Sequence, residues 1–467
     1  MANLLGIDFG TTALKACLFD QNGNRLTFET VRYSLITDGD FIEFPADDFL
    51  SIVKGVIDKI SANFSVDAIS IDTQGETLIV LDKQGNPLMN AIIWLDNRAE
   101  KQAKEMQDKF GLKKIYELTG QAEIPAGYPA PKIKWLKENR PDVFNNAEKF
   151  LLLEDYIVYK LTGNAVASRS LYSSSLLMNI KSGEYIPEVL DFVGITVDKL
   201  PKLVESGEVV GEYKGIKVVS GALDQIAGIT GAGVIEEGII SETTGTCLSV
   251  CAVTSTLPEY KENIVSAYYV KKGLYCLLAY APTAGATLEW FKGNFAENEN
   301  YDILNEEVAN TPVGADGLIC VPHLCGTVTP INNPNIKGAF FGLEMKHKRG
   351  HFVRAIMESI AYSIKEYVDM LGVPVEEIRS MGGGAKSAVW CNIKSSVLKK
   401  KIQTLKENET ACLGSAVFAG VGIKAFDSIK NATDSLVSVK QTYSASDDYE
   451  KHYNTYQETY QKICKLY

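Results

Sequence analysis

Two stretches of this chain share one plan, and their spacing limits what the chain can fold into. Residues 6–20, GIDFGTTALKACLFD, run as a β-rich segment, a tight turn of glycine and threonine, and a second β-rich segment. Residues 238–253, GIISETTGTCLSVCAV, run the same way. A repeat at about 230 residues is a repeat of domains, not of solenoid units. A chain of 467 residues is also too long for a single core. Two related domains are therefore expected, residues 1–236 and 237–467, meeting near VIEEG at 234–238.

The patterns around each turn are those of an α/β chain. In the first half, Asn22-Gly23 marks a hairpin between β-rich runs. FPADDFLSIVKGVIDKI then carries apolar residues at helical spacing, with Asp47 and Asp48 near its positive end. VDAISIDT, ETLIVLD and NAIIWLD follow as strands, so the expected order is β-β-β-α-β-β-β. In the second half, NIVSAYYVKKGLYCLLAYA supplies strands and HFVRAIMESIAYSIKEYVDML a long amphipathic helix.

Charge and composition exclude several classes of function. A net charge of -11 argues against a nucleic-acid or anionic-membrane partner. Any phosphate must then be held by local dipoles. No apolar run approaches the roughly 18 residues that span a bilayer, and MANLLGIDFG has no signal-peptide pattern. Nine cysteines are scattered without CxxC spacing, and four histidines show no metal-ligand spacing. The expectation is a cytoplasmic protein with reduced thiols and no structural metal.

Three stretches carry chemistry. In GIDFGTTALK, the amides around Gly10, Thr11 and Thr12 can cradle phosphate oxygens. Asp8 can hold Mg²⁺ through water, and Lys15 can add a compact charge beside the phosphates. Taken alone, this is equally a capped hairpin turn. SETTGTCLSV places a second such turn at the equivalent point of the second half. Neither GxxxxGK[ST] nor GxGxxG occurs, so P-loop and Rossmann machinery are not supported. In GIKVVSGALDQIAGITGAG, Asp224-Gln225 ends a strand and opens a helix rich in glycine, each of which costs about 1 kcal/mol against alanine. Asp224 reads either as a helix cap or as a reactive carboxylate, and the two roles are compatible.

These features, with two longer stretches, make the chain resemble the FGGY family of carbohydrate kinases. That family lies within the actin/hexokinase/heat-shock ATPase superfamily, and the similarity runs nearly end to end. GYPAPKIKWLKEN (127–139) and GAFFGLEMKHKRGHFVRAIMES (338–359, with His351 and Glu358) look like its two signature segments. The resemblance implies an α/β fold of two ribonuclease-H-like domains around a deep cleft, with the acceptor in the first and ATP against the second. It implies Asp224 as general base, with its helix aimed at the transferring phosphoryl group and small residues packing that helix at the hinge. It implies Asp8 acting on Mg²⁺, and Thr11, Thr12 and Lys15 approaching the phosphates. Thr244, Gly245 and Thr246 look like the second phosphate turn. Gly285 resembles the ribose-side position, and Gly383, Gly384 and Ala385 the adenine-side loop.

The acceptor side is similar to two branches at once. Gln74 matches both xylulose-type and glycerol-type kinases, while Glu76 and Thr77 match the glycerol type and Gly75 replaces its arginine. Trp94 matches the aromatic wall of the pocket, and Asp224 and Gln225 match the base and its neighbour. The wider segments read closer to the xylulose branch. Glu76 can accept hydrogen bonds from hydroxyls, which favours a polyol or ketose over a sugar acid; as a bare strand-end charge it would simply be solvated. The expected acceptor is a ketopentose such as D-xylulose. Glycerol or an erythritol-type polyol is the alternative, and a non-catalytic ATP-dependent sensor or switch is the alternative of a different class. A homodimer is an assembly that the resemblance allows.

Overall fold

The computed structural model describes residues 2–260 and 263–466. In the first half, β1 (Leu4–Phe9), β2 (Ala13–Phe19) and β3 (Arg25–Arg32) form an antiparallel meander. Helix α1 (Ala46–Ser61) follows and buries Phe49, Leu50, Val53, Val56, Ile57 and Ile60, the face that its spacing predicts. Strand β4 (Ala68–Thr73) then pairs parallel with β1, so that Asp8 lies beside Asp72. Every residue of β4 is buried, as a central strand covered on both faces demands. β5 (Val209–Tyr213) and β6 (Ile216–Val219) complete a six-stranded sheet in the order β5-β6-β4-β1-β2-β3. Helix α2 (Pro129–Asn139) belongs to the long insertion between β4 and β5. Then α3 (Asp224–Gly231) leaves the end of β6.

The second half repeats this arrangement. β7 (Gly238–Thr244), β8 (Leu248–Thr254) and β10 (Tyr275–Ala281) form the three-stranded antiparallel ladder, and β9 (Val265–Tyr268) pairs on the far side of β10. Helix α4 (Gly285–Phe295) and the 23-residue α5 (Arg349–Leu371) follow. β11 (Val375–Met381), α6 (Ala388–Leu398), β12 (Lys401–Leu405), α7 (Thr410–Gly422) and β13 (Val439–Tyr443) close the lobe. The sheet order is β9-β10-β8-β7-β11-β12-β13. Setting β1 against β7, β4 against β11 and β6 against β12 superposes the pairing pattern of one sheet on the other. Only β9 is extra. Five strands precede α1 where three were expected: Ile36–Asp38 and Phe41–Phe44 form a further hairpin around Gly39, whose strands of three and four residues are too short to show a period in the sequence.

By the same correspondence α3 is the counterpart of α7, and these two helices join the lobes. Helix α7 comes from the second half yet packs on β1 and β4 of the first. The two helices meet backbone to backbone. A Cβ on Gly231 would lie 1.8 Å from the Thr410 carbonyl oxygen, and one on Gly414 would lie 1.9 Å from that of Ala227. Gly6 of β1 stands in the same relation to the Cys412 carbonyl, at 1.8 Å. Gly231 of α3 and Gly414 of α7 therefore permit an approach that no side chain allows. Among the described residues no helix is long and apolar enough to cross a membrane.

Candidate active site

Parallel pairing carries the ends of β1, β4 and β6 to one edge of the first sheet. Asp8 stands near the end of β1, Gln74 follows β4, and Asp224 opens α3 after β6. The strand-end bridge between Thr73 and Leu223 brings the last two segments side by side. Asp224 is the first helical residue, with Leu223 as the cap, and its Oδ1 accepts from the Gln225 amide at 2.6 Å. Burial, then the charges of Asp8 and Glu76, push the Asp224 carboxyl up to about 7. Burial likewise pushes Asp8 up to about 6, with Lys15 opposing and Glu409 reinforcing the rise. Asp72 is wholly buried between them; its Oδ2 accepts from Ser415 of α7 at 2.7 Å, and its Oδ1 has no partner.

The first turn is braced from outside. Tyr33 donates its hydroxyl to the Gly10 carbonyl at 2.6 Å and its amide to the Thr12 carbonyl at 3.2 Å. Thr12 is exposed, while Thr11 accepts from the Trp94 indole at 2.9 Å. That bond ties the phosphate-type turn to the aromatic residue expected in the acceptor wall. Lys15 is held by Glu409 at the head of α7, 2.7 Å away, so its charge is already partnered across the lobes.

Glu76 is half-buried, not a solvated strand end, and adopts a left-handed backbone at φ 57°. Burial pushes its carboxyl up to about 7, against a hydrogen bond from Ser174 and the nearby Lys132. Gln74 is 3% exposed, and neither its amide oxygen nor its nitrogen makes a hydrogen bond, although the Tyr33 hydroxyl is close by. Thr77 is fully buried with an unpartnered hydroxyl. Trp94 is 41% exposed and Gln225 exposed, so both present surface to solvent near this sheet edge. Glu123 accepts from the second lobe's Tyr280 at 3.4 Å, and the buried Tyr128 hydroxyl feels both Glu76 and Glu123.

The second turn is organised by a buried pair. Lys394 of α6 donates to Glu242 at 2.7 Å and to the Thr244 hydroxyl at 3.0 Å, and Thr244 donates in turn to Glu242. The Thr244 hydroxyl is thus engaged within the lobe, leaving the backbone of Gly245 and the exposed Thr246 as the turn's open face. Gly285 donates its amide to the Gly245 carbonyl at 2.8 Å, and a Cβ there would come within 2.4 Å of that oxygen. Its glycine seats α4 on the turn. Gly384 packs against Thr244 in the same manner, whereas Gly383 is exposed and Ala385 half-buried. Among the described residues no group of three or more His, Cys, Asp or Glu is arranged to hold a metal. Asp8, with the unpartnered Asp72 oxygen behind it, offers the hard oxygen donors that fit Mg²⁺, a cation that keeps most of its water and takes phosphate oxygens.

Two family models cover most of the chain: the N-terminal domain of the FGGY family of carbohydrate kinases over residues 3–234, and its C-terminal domain over 240–423. The chain belongs to the FGGY family of carbohydrate kinases. It is therefore an ATP-dependent phosphotransferase with an alcohol group as acceptor. This FGGY kinase is 29% identical to a xylulose kinase of Bacillus subtilis over 99% of its own length and 97% of the relative's. It is 27% identical to a gluconokinase of the same organism over 99% and 96%. In fold it matches the crystal structure of Plasmodium falciparum glycerol kinase with ADP at a TM-score of 0.91 and 23% identity, covering 100% and 98% of the two chains.

Sequence reasoning on this FGGY kinase missed Asp72, Lys132, Tyr33, Glu123, Ser415 and Glu409. Asp72 and Glu409 sat in plain strand and loop contexts, and only the fold brings them to the carboxylates. The signature segment containing Lys132 was the single available pointer to that residue.

Proposed function

We propose that this kinase phosphorylates a terminal hydroxyl of a ketopentose such as D-xylulose, with Asp224 as general base. The observation that carries the reading is the position of Asp224 at the head of α3, beside Asp8 and Glu76 and close to neutral in its titration. In this reading, residues 1–236 hold the acceptor and 237–467 the nucleotide. Gln74, whose buried amide lacks partners, Glu76, Trp94 and Gln225 hold the acceptor's hydroxyls. The amides around Thr11 and Thr12, the Gly245–Thr246 turn beside Thr244, and the segments at Gly285 and Gly383–Ala385 receive ATP. Lys15 lies beside the phosphates. Asp8 would hold Mg²⁺ through water, and the ion would supply charge neutralisation on the transferring phosphoryl group. Asp224 takes the proton of the attacking hydroxyl, and the N-terminus of α3 favours the negative charge that approaches it.

The similarity to xylulose kinases supports the ketopentose. A glycerol or erythritol-type polyol is a second reading, favoured by the Gln74, Glu76 and Thr77 pattern. Glu76 and Glu123 disfavour an aldonate by repulsion, despite the similarity to gluconokinases. The nine cysteines, all unbridged, fit a reducing cytoplasm. The test is coupled ATP consumption by Asp224→Asn and the parent over a panel of ketoses, polyols and aldonates. The variant is expected to bind ATP normally and to lose about 10²-fold or more in turnover. Near-parental turnover removes Asp224 as the base, and a preference for gluconate removes the ketopentose.

A further inference from the structure

The acceptor side of the site depends on two chain segments that meet in the sheet only at the Leu78–Ile92 pair, short of Glu76 and Trp94 themselves. One is the left-handed bend at Glu76; the other is the run Ile92-Ile93 that delivers Trp94. Between them lies one side chain. Lys132, in the first turn of α2, is 0% exposed, and its ammonium donates to the carbonyls of Glu76 at 2.9 Å, Ile93 at 2.8 Å and Ile92 at 3.3 Å. An ammonium has three donors, and here three backbone carbonyls receive them. A buried cation survives only when so satisfied; burial pulls the Lys132 ammonium down to about 7, against the opposing pull of the Asp96 and Glu76 carboxylates. The segment leading into α2 grips Trp94 as well. A Cβ on Gly127 would lie 2.0 Å from the Trp94 carbonyl oxygen, so this glycine lets the α2 lead-in close on that peptide.

We propose that Lys132 is a positioning residue for the acceptor: it sets the Glu76 bend and the approach of Trp94 relative to one another and touches neither substrate. No other cation bonds these carbonyls among the described residues. The nucleotide side has its own buried organiser, Lys394, so the effect of Lys132 is confined to one substrate. The inference rests on the assignment of Glu76 and Trp94 to the acceptor.

The experiment compares Lys132→Met and Lys132→Arg with the parent, reading KM for the acceptor, KM for ATP and kcat, with thermal melting of each. In Lys132→Met, acceptor KM rises about tenfold or more while ATP KM stays within about twofold. Lys132→Arg, which keeps the charge but spreads its donors over a plane, shows a smaller rise of the same selectivity. If Lys132→Met does not fold, Lys132→Arg decides alone: acceptor KM raised about threefold or more with ATP KM unchanged supports the role. Unchanged acceptor KM in the folded variants, or equal losses for both substrates, overturns it. Glu76→Gln and Trp94→Ala separate the two levels. If both leave acceptor KM unchanged, the acceptor assignment itself is wrong. If both raise it while the Lys132 variants do not, only the positioning role fails.

Discussion

Replacing Gly231 by alanine tests the joint between the lobes. Gly231 ends α3, and a methyl there would lie 1.8 Å from the Thr410 carbonyl oxygen and 2.6 Å from the Gly414 nitrogen. Ordinary contact begins at 3.4 Å, so α3 and α7 must part by about 1.6 Å. Both obstructing atoms are backbone, and neither can rotate aside. Overpacking of this kind costs about 1–3 kcal/mol, and the better helix propensity of alanine returns about 1 kcal/mol at most. With the full 1 kcal/mol returned, the net loss is about 0–2 kcal/mol, which lowers the melting temperature by up to about 8 °C. Asp224, the proposed base, opens the same helix, and a displacement near 1 Å at a catalytic group is worth about 10²-fold in rate. Gly228→Ala is the internal control, because its methyl would meet only the Thr410 hydroxyl at 3.9 Å. It should melt at or slightly above the parental temperature. Thermal melts and coupled turnover of both variants decide the matter. If Gly231→Ala melts and turns over like Gly228→Ala, the backbone contact does not set the geometry of the joint.

Two further outcomes follow from buried charge. In the folded apo-protein Glu76 and Asp224 titrate near 7 and Glu154 near 8, against ordinary values near 4, so between these limits the folded state binds more protons than the unfolded one. Stability must then fall as pH rises from about 5 to about 8, whereas turnover, with Asp224 as the proposed base, rises through about 7; in Glu76→Gln the acid limb of turnover moves to lower pH because a neighbouring negative charge is gone. Melts at pH 5.5 and 8 with matched rate profiles check both signs, and a melting temperature that climbs with pH contradicts the reasoning. Lys394→Met strands Glu242 as a buried, unpaired carboxylate and is expected to cost about 3–5 kcal/mol. ATP affinity should weaken with it, because the Thr244 turn loses its anchor; unchanged melting would show that the pair is not structural.

What the sequence determined by itself was everything set by near neighbours. Period-two runs made the strands, the spacing of Phe49 to Ile60 made α1, and Gly-Thr turns recurred at equivalent places in two halves. The resemblance to a kinase family was legible because Asp8, Asp224 and the long segments around Lys132 and His351 lie in contiguous stretches. The hairpin at 36–44 was not, because its strands are only three and four residues long and show no clear period. Only the tertiary structure decided which groups surround the buried carboxylates of the candidate site. Asp72 reads as an interior residue of a strand until β4 lies beside β1, and its partner Ser415 is 343 residues away. Lys15 and Glu409 meet because α7 crosses from the second lobe onto the first sheet. Strand order and helix crossing fix such neighbours, and both are settled by the burial of whole faces, which a local pattern permits without choosing.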